Sequence, residues 1–402
     1  MKFLVPRLKP RYGFRDWLAA VNVFQRKPIA KYEQAFANQF GSKHGVMFSH
    51  GRTGLYALMK VWGLNNSEVI CPAYTCVVVP NAVVLSGNKP VFVDCEDGSF
   101  NMSTRSIEEA VTEHTRMIVA THLFGYPMDI DAVQSIADSA SKKYGHKVYV
   151  VQDCAHSYGA KWNGRLVTSA GDAAIFGSNV SKIINSVFGG VVITNSNETY
   201  RKLLNWREKE CINKRLVKTL SRILYFIAVN VAFTPLVYTS VNWLERKGLL
   251  DRFVKYYEEG VIDFPSDWDQ LPVPVEARIG LAQLKSYKKI IEDRTTWARA
   301  IIDSFKENKG IRFIDDIDGS TYSHLVGVVD DRAGWVEFYG KKGIQMGILI
   351  EYSIPSMSAF KKYRTTDTPV SDFYAEHCIN FPLHKKLELN DAVDMQLSIC
   401  SK

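Results

Sequence analysis

The sequence predicts an α/β fold, a sheet with helices packed on both faces, and three observations predict it. Apolar helix-like stretches alternate with short β-branched runs from about Glu33 to Asn195. The runs are apolar along their length, as strands covered on both faces require. Several of them end in polar or glycine-containing turns, as in VMFSHGRTG and VVQDCAHSYGA. Such turns lie at the carboxyl ends of strands, where open α/β sheets bind ligands.

Taken in order, YEQAFANQF reads as a helix, GVMFS as a strand and GLYALMKVW as the helix that follows it. The strand-like runs then continue as SEVICP, PVFVDC, RMIVATH, KVYVVQD, AAIFGS and GGVVITN. After Asn195 the pattern changes to a basic helical stretch holding Arg201, Lys202, Arg207, Lys209, Lys214, Arg215, Lys218 and Arg222. Ile223 to Val241 then carries no charge and is long enough to be a transmembrane candidate. Its Asn230, Thr234, Pro235, Thr239 and Ser240, with charges on both flanks, fit a bent, shallowly inserted or buried segment better than a straight span. Two readings stand here. One is a monotopic insertion in which residues about 200–250 contact an anionic membrane, the basic stretch lying on headgroups; the other is a buried core or dimer-interface helix. From Glu276, EARIGLAQLKSYKKIIEDRTTWARAIIDSF reads as one long helix, and a smaller α+β region follows. The expected division is a large domain over residues 1–260 and a smaller one over 261–402.

At 402 residues the chain is long enough for a sizeable core. Its +8 net charge favours an anionic ligand without indicating nucleic acid. Seven cysteines, odd in number and without a C-x-x-C pair, offer neither a disulfide framework nor a zinc ribbon and read as reduced thiols. The N-terminal MKFLVPRLKPRYGF has no apolar run of signal length, so the expected compartment is the cytoplasm.

The stretch carrying most chemistry is VYVVQDCAHSYGA, with Lys182 following in the serine-containing turn GSNVSKIINSVFGG. Alone, an aspartate after a strand is usually a cap, and a lone lysine is usually solvated. Together, an acid at the end of a buried strand and a lysine in such a turn are what a pyridoxal phosphate site requires. The lysine forms the Schiff base and then carries protons, and the carboxylate keeps the pyridine nitrogen protonated. A third element, Gly51, Arg52, Thr53 and Gly54, joins a strand to a helix and reads either as a tight capped turn or as a phosphate cradle of free N–H groups.

In these residues the chain resembles the DegT/StrS nucleotide-sugar aminotransferases, within the fold type I pyridoxal phosphate enzymes. The resemblance runs from KYEQAFANQFGSKHGVMFSHGRTGLYAL through EVICPAYTCVVVPNAVVLSGNKPVFVDC, RMIVATHLFGYPMDID, VQDCAHSYGAKWNGRLVTSAGDAAIF and EARIGLAQLKSYKKIIEDR to NFPLHKKLELNDAVD. It implies a mainly parallel central sheet between helices, a smaller C-terminal α+β domain, pyridoxal 5'-phosphate as cofactor, and a homodimer with sites at the interface. It further implies transfer of an amino group from an amino acid, glutamate above all, to a keto sugar carried on a nucleotide. Alternatives are a lipid-linked or cyclitol ketone as acceptor, or a non-catalytic scaffold.

By motif position the resemblance makes Lys182 the Schiff-base lysine and Asp153 the pyridinium partner. His156 stands where the family commonly has glutamine near the ring hydroxyl, and Gly51, Arg52 and Thr53 match the phosphate turn. Ser178 and Ser181 precede the lysine where the family offers a hydroxyl to the phosphate, while the usual serine position is Gly177. Cys76 takes the place of a ring-stacking aromatic, and Tyr74, which strand alternation places on the same face, competes with it. Asp269 and Leu271 stand where an asparagine and an arginine usually complete the partner's site. His122 aligns with a frequent family histidine and reads equally as a structural residue.

Overall fold

The computed structural model describes residues 4–249 and 258–384. Its central sheet contains β1 (His44–Phe48), β2 (Glu68–Pro72), β3 (Lys89–Val93), β4 (Thr115–Thr121) and β5 (Tyr149–Asp153). After a short hairpin of β6 (Lys161–Trp162) and β7 (Arg165–Leu166), β8 (Ala173–Gly177) and β9 (Gly190–Thr194) complete it. The order is β1-β9-β8-β5-β4-β2-β3, seven strands in all. Strand β9 is antiparallel to both neighbours and every other pairing is parallel, so six strands end on the same edge. The mainly parallel sheet expected from the resemblance is present.

Successive residues of each strand enter opposite cores, which explains the unbroken apolar runs. In β4, Met117 and Val119 pack on one face while Ile118 and Ala120 pack on the other. The first face is covered by α3 (Gly51–Val61) and α4 (Val78–Leu85) through Leu55, Leu58 and Val83. On the second, α6 (Ile130–Tyr144) contributes Val133 and Ala137. Each fully buried aliphatic side chain there stabilises the fold by about 1.5–3 kcal/mol. Helix α6 is bounded by sequence-local chemistry: Asp129 accepts the Asp131 and Ala132 N–H groups, and Gly145, at φ 68°, ends it.

Near the N-terminus lie α1 (Phe14–Val21) and α2 (Pro28–Gln39). After β9 come α7 (Asn197–Glu210), α8 (Arg215–Ala232) and α9 (Pro235–Arg246). The uncharged segment is therefore two helices, bent by 100° at a break before Pro235, as expected of a segment that does not run straight. The basic stretch is not one solvated face. Lys218 and Arg222 are only 4% and 8% exposed, and Arg207 turns inward to Glu33.

The expected single helix from Glu276 is two, α10 (Pro274–Leu284) and α11 (Tyr287–Ser304). Lys285 and Ser286 bond back to Ala282 and Gln283, three residues behind, and this tighter turn ends one helix before the next begins. A three-stranded antiparallel layer of β10 (Ile311–Phe313), β11 (Leu325–Val329) and β12 (Cys378–Phe381) packs on Ala298 and Ile301 of α11. In the block NFPLHKKLELNDAVD, residues from 385 onward lie outside the described residues.

Candidate active site

The shared edge of the parallel strands gathers the residues the sequence singles out. Gly51–Thr53 follow β1, Cys76 follows β2, His122 follows β4, Asp153 ends β5 with His156 just beyond, and Ser178 and Lys182 follow β8. Lys182 is half-buried, its turn closed by Lys182 N–H donating to Asn179 O at 3.0 Å and Ser178 N–H to Gly189 O at 2.8 Å. A β-carbon at position 177 would stand 3.8 Å from Lys182 Cε. Glycine there leaves room beside the lysine chain.

Burial lowers the affinity of the Lys182 amine for its proton, and nearby Cys76 and Asp153 act against that. An amine poised toward neutrality is the form that attacks a carbonyl. Asp153 is 4% exposed, and burial raises its carboxyl while the Ala155 N–H and Lys182 pull it down. Its Oδ1 accepts from Ala155 N–H at 3.0 Å, whereas among the described residues Oδ2 has only Thr121 Oγ1, at 3.5 Å. A buried carboxylate short of a close donor fits a cationic ring N–H.

His156 accepts the Phe124 N–H at Nδ1, 3.3 Å away, so its remaining proton sits on Nε2. Burial and the nearby Lys182 and His324 hold it well below the ordinary imidazole range. His324, which sequence reading did not single out, lies 5.1 Å from His156 between ring centroids. It arrives because the loop after β4 is clamped to the C-terminal layer: Thr321 N–H donates to Gly125 O and His324 N–H to Phe124 O. Any side chain at Gly125, where φ is 98°, would meet that layer at Thr321 Oγ1, 2.8 Å away. No local pattern around His324 signals this.

The turn after β1 rests on glycine contacts. A β-carbon at Gly51 would lie 2.9 Å from Phe176 O, and one at Gly190 would overlap the Gly51 backbone. His50 precedes α3 without a side-chain cap, which leaves the helix start open to an anion. The neighbouring side chains are turned to the segment before α10: Ser49 donates to Gln270 O, His50 meets Asp267 at 2.8 Å, and Thr53 donates to Trp268 O at 3.0 Å. Thr53 thus offers its backbone to the turn, not its hydroxyl. Arg52 stands in the same turn and acts on the charge state of Lys182.

Other singled-out residues are placed differently. The Ser178 hydroxyl is fully buried and turned to the Tyr32 and Tyr158 hydroxyls. Ser181 Oγ donates to Asn179 Oδ1 at 2.7 Å. Strand β2 ends at Pro72, so the two-residue alternation expected of Tyr74 and Cys76 does not apply. Tyr74 turns into the C-terminal core, its hydroxyl donating to Ile350 O at 3.3 Å, and Cys76 stays near Lys182. His122 is a packed structural residue, accepting Met128 N–H at Nδ1 and donating to Gln152 from Nε2, both at 2.9 Å. Asp269 and Leu271 pair with the α7–α8 junction through Ile212.

A family model described as the DegT/DnrJ/EryC1/StrS aminotransferase family matches residues 14–233 and 274–398. GDP-perosamine synthase of Escherichia coli O157:H7 is 31% identical over 180 residues, which cover 44% of this chain and 48% of that protein. A putative L-glutamine:3-amino-2,3-dideoxy-scyllo-inosose aminotransferase of Streptoalloteichus tenebrarius is 34% identical over 215 residues, half of each chain. The chain spans about half the length of the curated relatives it matches. Among solved structures, the putative sugar aminotransferase Spr1654 of Streptococcus pneumoniae in its PLP form superposes with a TM-score of 0.77 at 18% identity, covering 99% of both chains, and shows the fold to be shared. With its sheet topology and most of its length matched, the chain belongs to the DegT/DnrJ/EryC1/StrS aminotransferase family.

Proposed function

We propose that the chain is a pyridoxal phosphate-dependent aminotransferase that moves an amino group from an amino acid, glutamate the expected donor, to a keto sugar linked to a nucleotide, in the making of surface polysaccharides or glycoconjugates. The observation that carries this is the placement of Asp153 at the end of β5 and of Lys182 just after β8, its parallel neighbour, at one carboxyl edge of the sheet. When bound, the cofactor supplies an electron sink for the carbon that loses its proton. Lys182 would hold the cofactor and its Nζ would carry that proton; Asp153 would hold the ring N–H, the α3 start would receive the phosphate, and His156 Nε2–H would serve the ring's oxygen side.

The E. coli relative bears the name of a sugar-nucleotide enzyme, which supports a nucleotide-linked acceptor. The Streptoalloteichus relative is named for a cyclitol ketone, which keeps that acceptor as the second reading. The same proposal includes a cytoplasmic homodimer, the division at residues 260/261, and membrane contact through about 200–250. Incubating the chain with ¹⁵N-glutamate and a panel of nucleotide-linked keto sugars and cyclitol ketones, read by mass spectrometry, tests it. Label in an amino sugar with wild type but not Lys182→Ala supports the reading; no label in any sugar, with label in a cyclitol, moves it to the second.

A further inference from the structure

Helix α8 is inverted relative to a surface helix. Its inner face carries Lys218 and Arg222, and Leu216, Leu220, Leu224, Ile227 and Val231 point outward at helical spacing. Leu216 is 89% exposed. Helix α1 adjoins it through Trp17 against Phe226, 4.6 Å between ring centroids, and α9 folds back on it through Tyr238 against Phe233 at 5.3 Å. Among the described residues, every exposed large apolar side chain except Leu85 and Val261 lies on these three helices or the turns beside them. Soluble surfaces rarely gather apolar residues this way without a use.

The exposed charges around this face are predominantly basic, with Glu208 beside Lys27 and Arg215 as an acidic exception. Over residues 14–27 and 212–249, the exposed charged side chains described are Arg15, Arg26, Lys27, Lys214, Arg215 and Lys247. The acids there are withdrawn: Asp16 is buried and Glu245 is bound to Arg7 at 2.8 Å. A two-fold partner copy would present the same cations to themselves. No single described helix is long and apolar enough to cross a bilayer, and the α8–α9 pair bends by 100°. We propose that α1, α8 and α9 form a monotopic docking surface for an anionic bilayer, apolar side chains entering one leaflet and the basic rim meeting headgroups.

The inner face of α8 carries this contact toward the cofactor turn. Lys218 Nζ donates to Ser49 Oγ at 2.8 Å and to Leu271 O at 3.1 Å. Arg222 bridges Glu276, at 2.7 Å, and Asp267, which holds His50 at the head of α3. The turn holding Arg52 and Thr53 is thus one helix removed from the docking face.

The test is flotation of the purified full chain with vesicles of phosphatidylcholine and phosphatidylglycerol, against phosphatidylcholine alone, at low and high salt. Wild type is expected to rise with the anionic vesicles at low salt and to be released by salt. Lys214→Ser/Arg215→Ser is expected to partition about thirtyfold less well, and Leu220→Ser/Leu224→Ser/Ile227→Ser at least about tenfold less well. Tm and the pyridoxal phosphate spectrum of each variant, measured alongside, are expected to match wild type. The docking proposal does not depend on the aminotransferase reading, since a chain that binds no cofactor still floats or sinks by its surface. Wild type staying at the bottom with anionic vesicles, or the triple variant floating as well as wild type, overturns it. So does light scattering that shows a wild-type dimer and a triple-variant monomer, which would assign the face to a second copy.

Discussion

Asp153 meets Thr121 at the limit of hydrogen-bonding distance, with Thr121 Oγ1 3.5 Å from Asp153 Oδ2. That carboxylate is buried, and its raised proton affinity means the folded cofactor-free chain holds a proton the unfolded chain has already lost. Its charge therefore opposes folding increasingly as pH rises above the ordinary carboxylate range. Asp153→Asn is expected to leave the cofactor-free protein at least as stable as wild type near neutral pH. The same variant is expected to gain less in Tm from pyridoxal phosphate and to lose about 10²–10⁴ in transamination rate. Differential scanning calorimetry with and without cofactor reads the first pair, and single-turnover kinetics the last.

Gly177 and Gly190 part company under substitution. A β-carbon at 177 makes ordinary contacts, 3.8 Å to Lys182 Cε and 4.0 Å to Ala155 Cβ. Gly177→Ser restores the hydroxyl that the family resemblance places there, and it is expected to tighten pyridoxal phosphate binding about tenfold through one charge-assisted hydrogen bond. Gly190→Ala drives its methyl into the Gly51 backbone and is expected to cost about 3 kcal/mol. Cofactor titration by absorbance and urea unfolding separate the two.

His122 gives a pH signature. Its folded pKa is pushed down to about 4 by burial, with Gln152 acting weakly against that. An unfolded histidine takes up a proton below about pH 6.5, so acid favours the unfolded chain between there and about pH 4. His384, also held near about 4, titrates in the same direction, so the comparison has to be with His122→Gln. The stability difference between wild type and that variant is expected to shrink by about 1.4 kcal/mol per pH unit through this window. Urea midpoints at three pH values are sufficient.

Asp267 carries the opposite sign. Although burial acts to raise it, hydrogen bonds and charge from His50 and Arg222 hold it well below the carboxylate range. Its contribution is present above the unfolded value of about 4 and lost as pH falls below it. Asp267→Asn is expected to cost about 2 kcal/mol at neutral pH, with the gap from wild type closing in acid. Equal gaps at both pH values would contradict the assignment.

The strands were legible because parallel β-structure buried on both faces leaves unbroken apolar runs, as in β4. Lys182, Asp153 and the Gly51 turn were legible because each follows such a run. His324 was not, since only the tertiary clamp between Gly125 and Thr321 brings it to the site. Nor were the bends that follow β2, since Ala73, Tyr74, Thr75 and Cys76 after Pro72 include no further proline or glycine to announce them. The burial of Lys218 and Arg222 was missed for a related reason. Helical spacing shows that α8 has two unlike faces, but which face turns inward depends on Asp267 and Glu276, far along the chain.

The central claim is that Lys182 and Asp153 build a working cofactor site, and an absorbance spectrum tests it most directly. The purified chain is incubated with pyridoxal phosphate, then with glutamate, alongside Lys182→Ala. The account expects a band near about 420 nm in wild type only, fading on glutamate as one near about 330 nm grows. No band in wild type, or the same behaviour in Lys182→Ala, would contradict it.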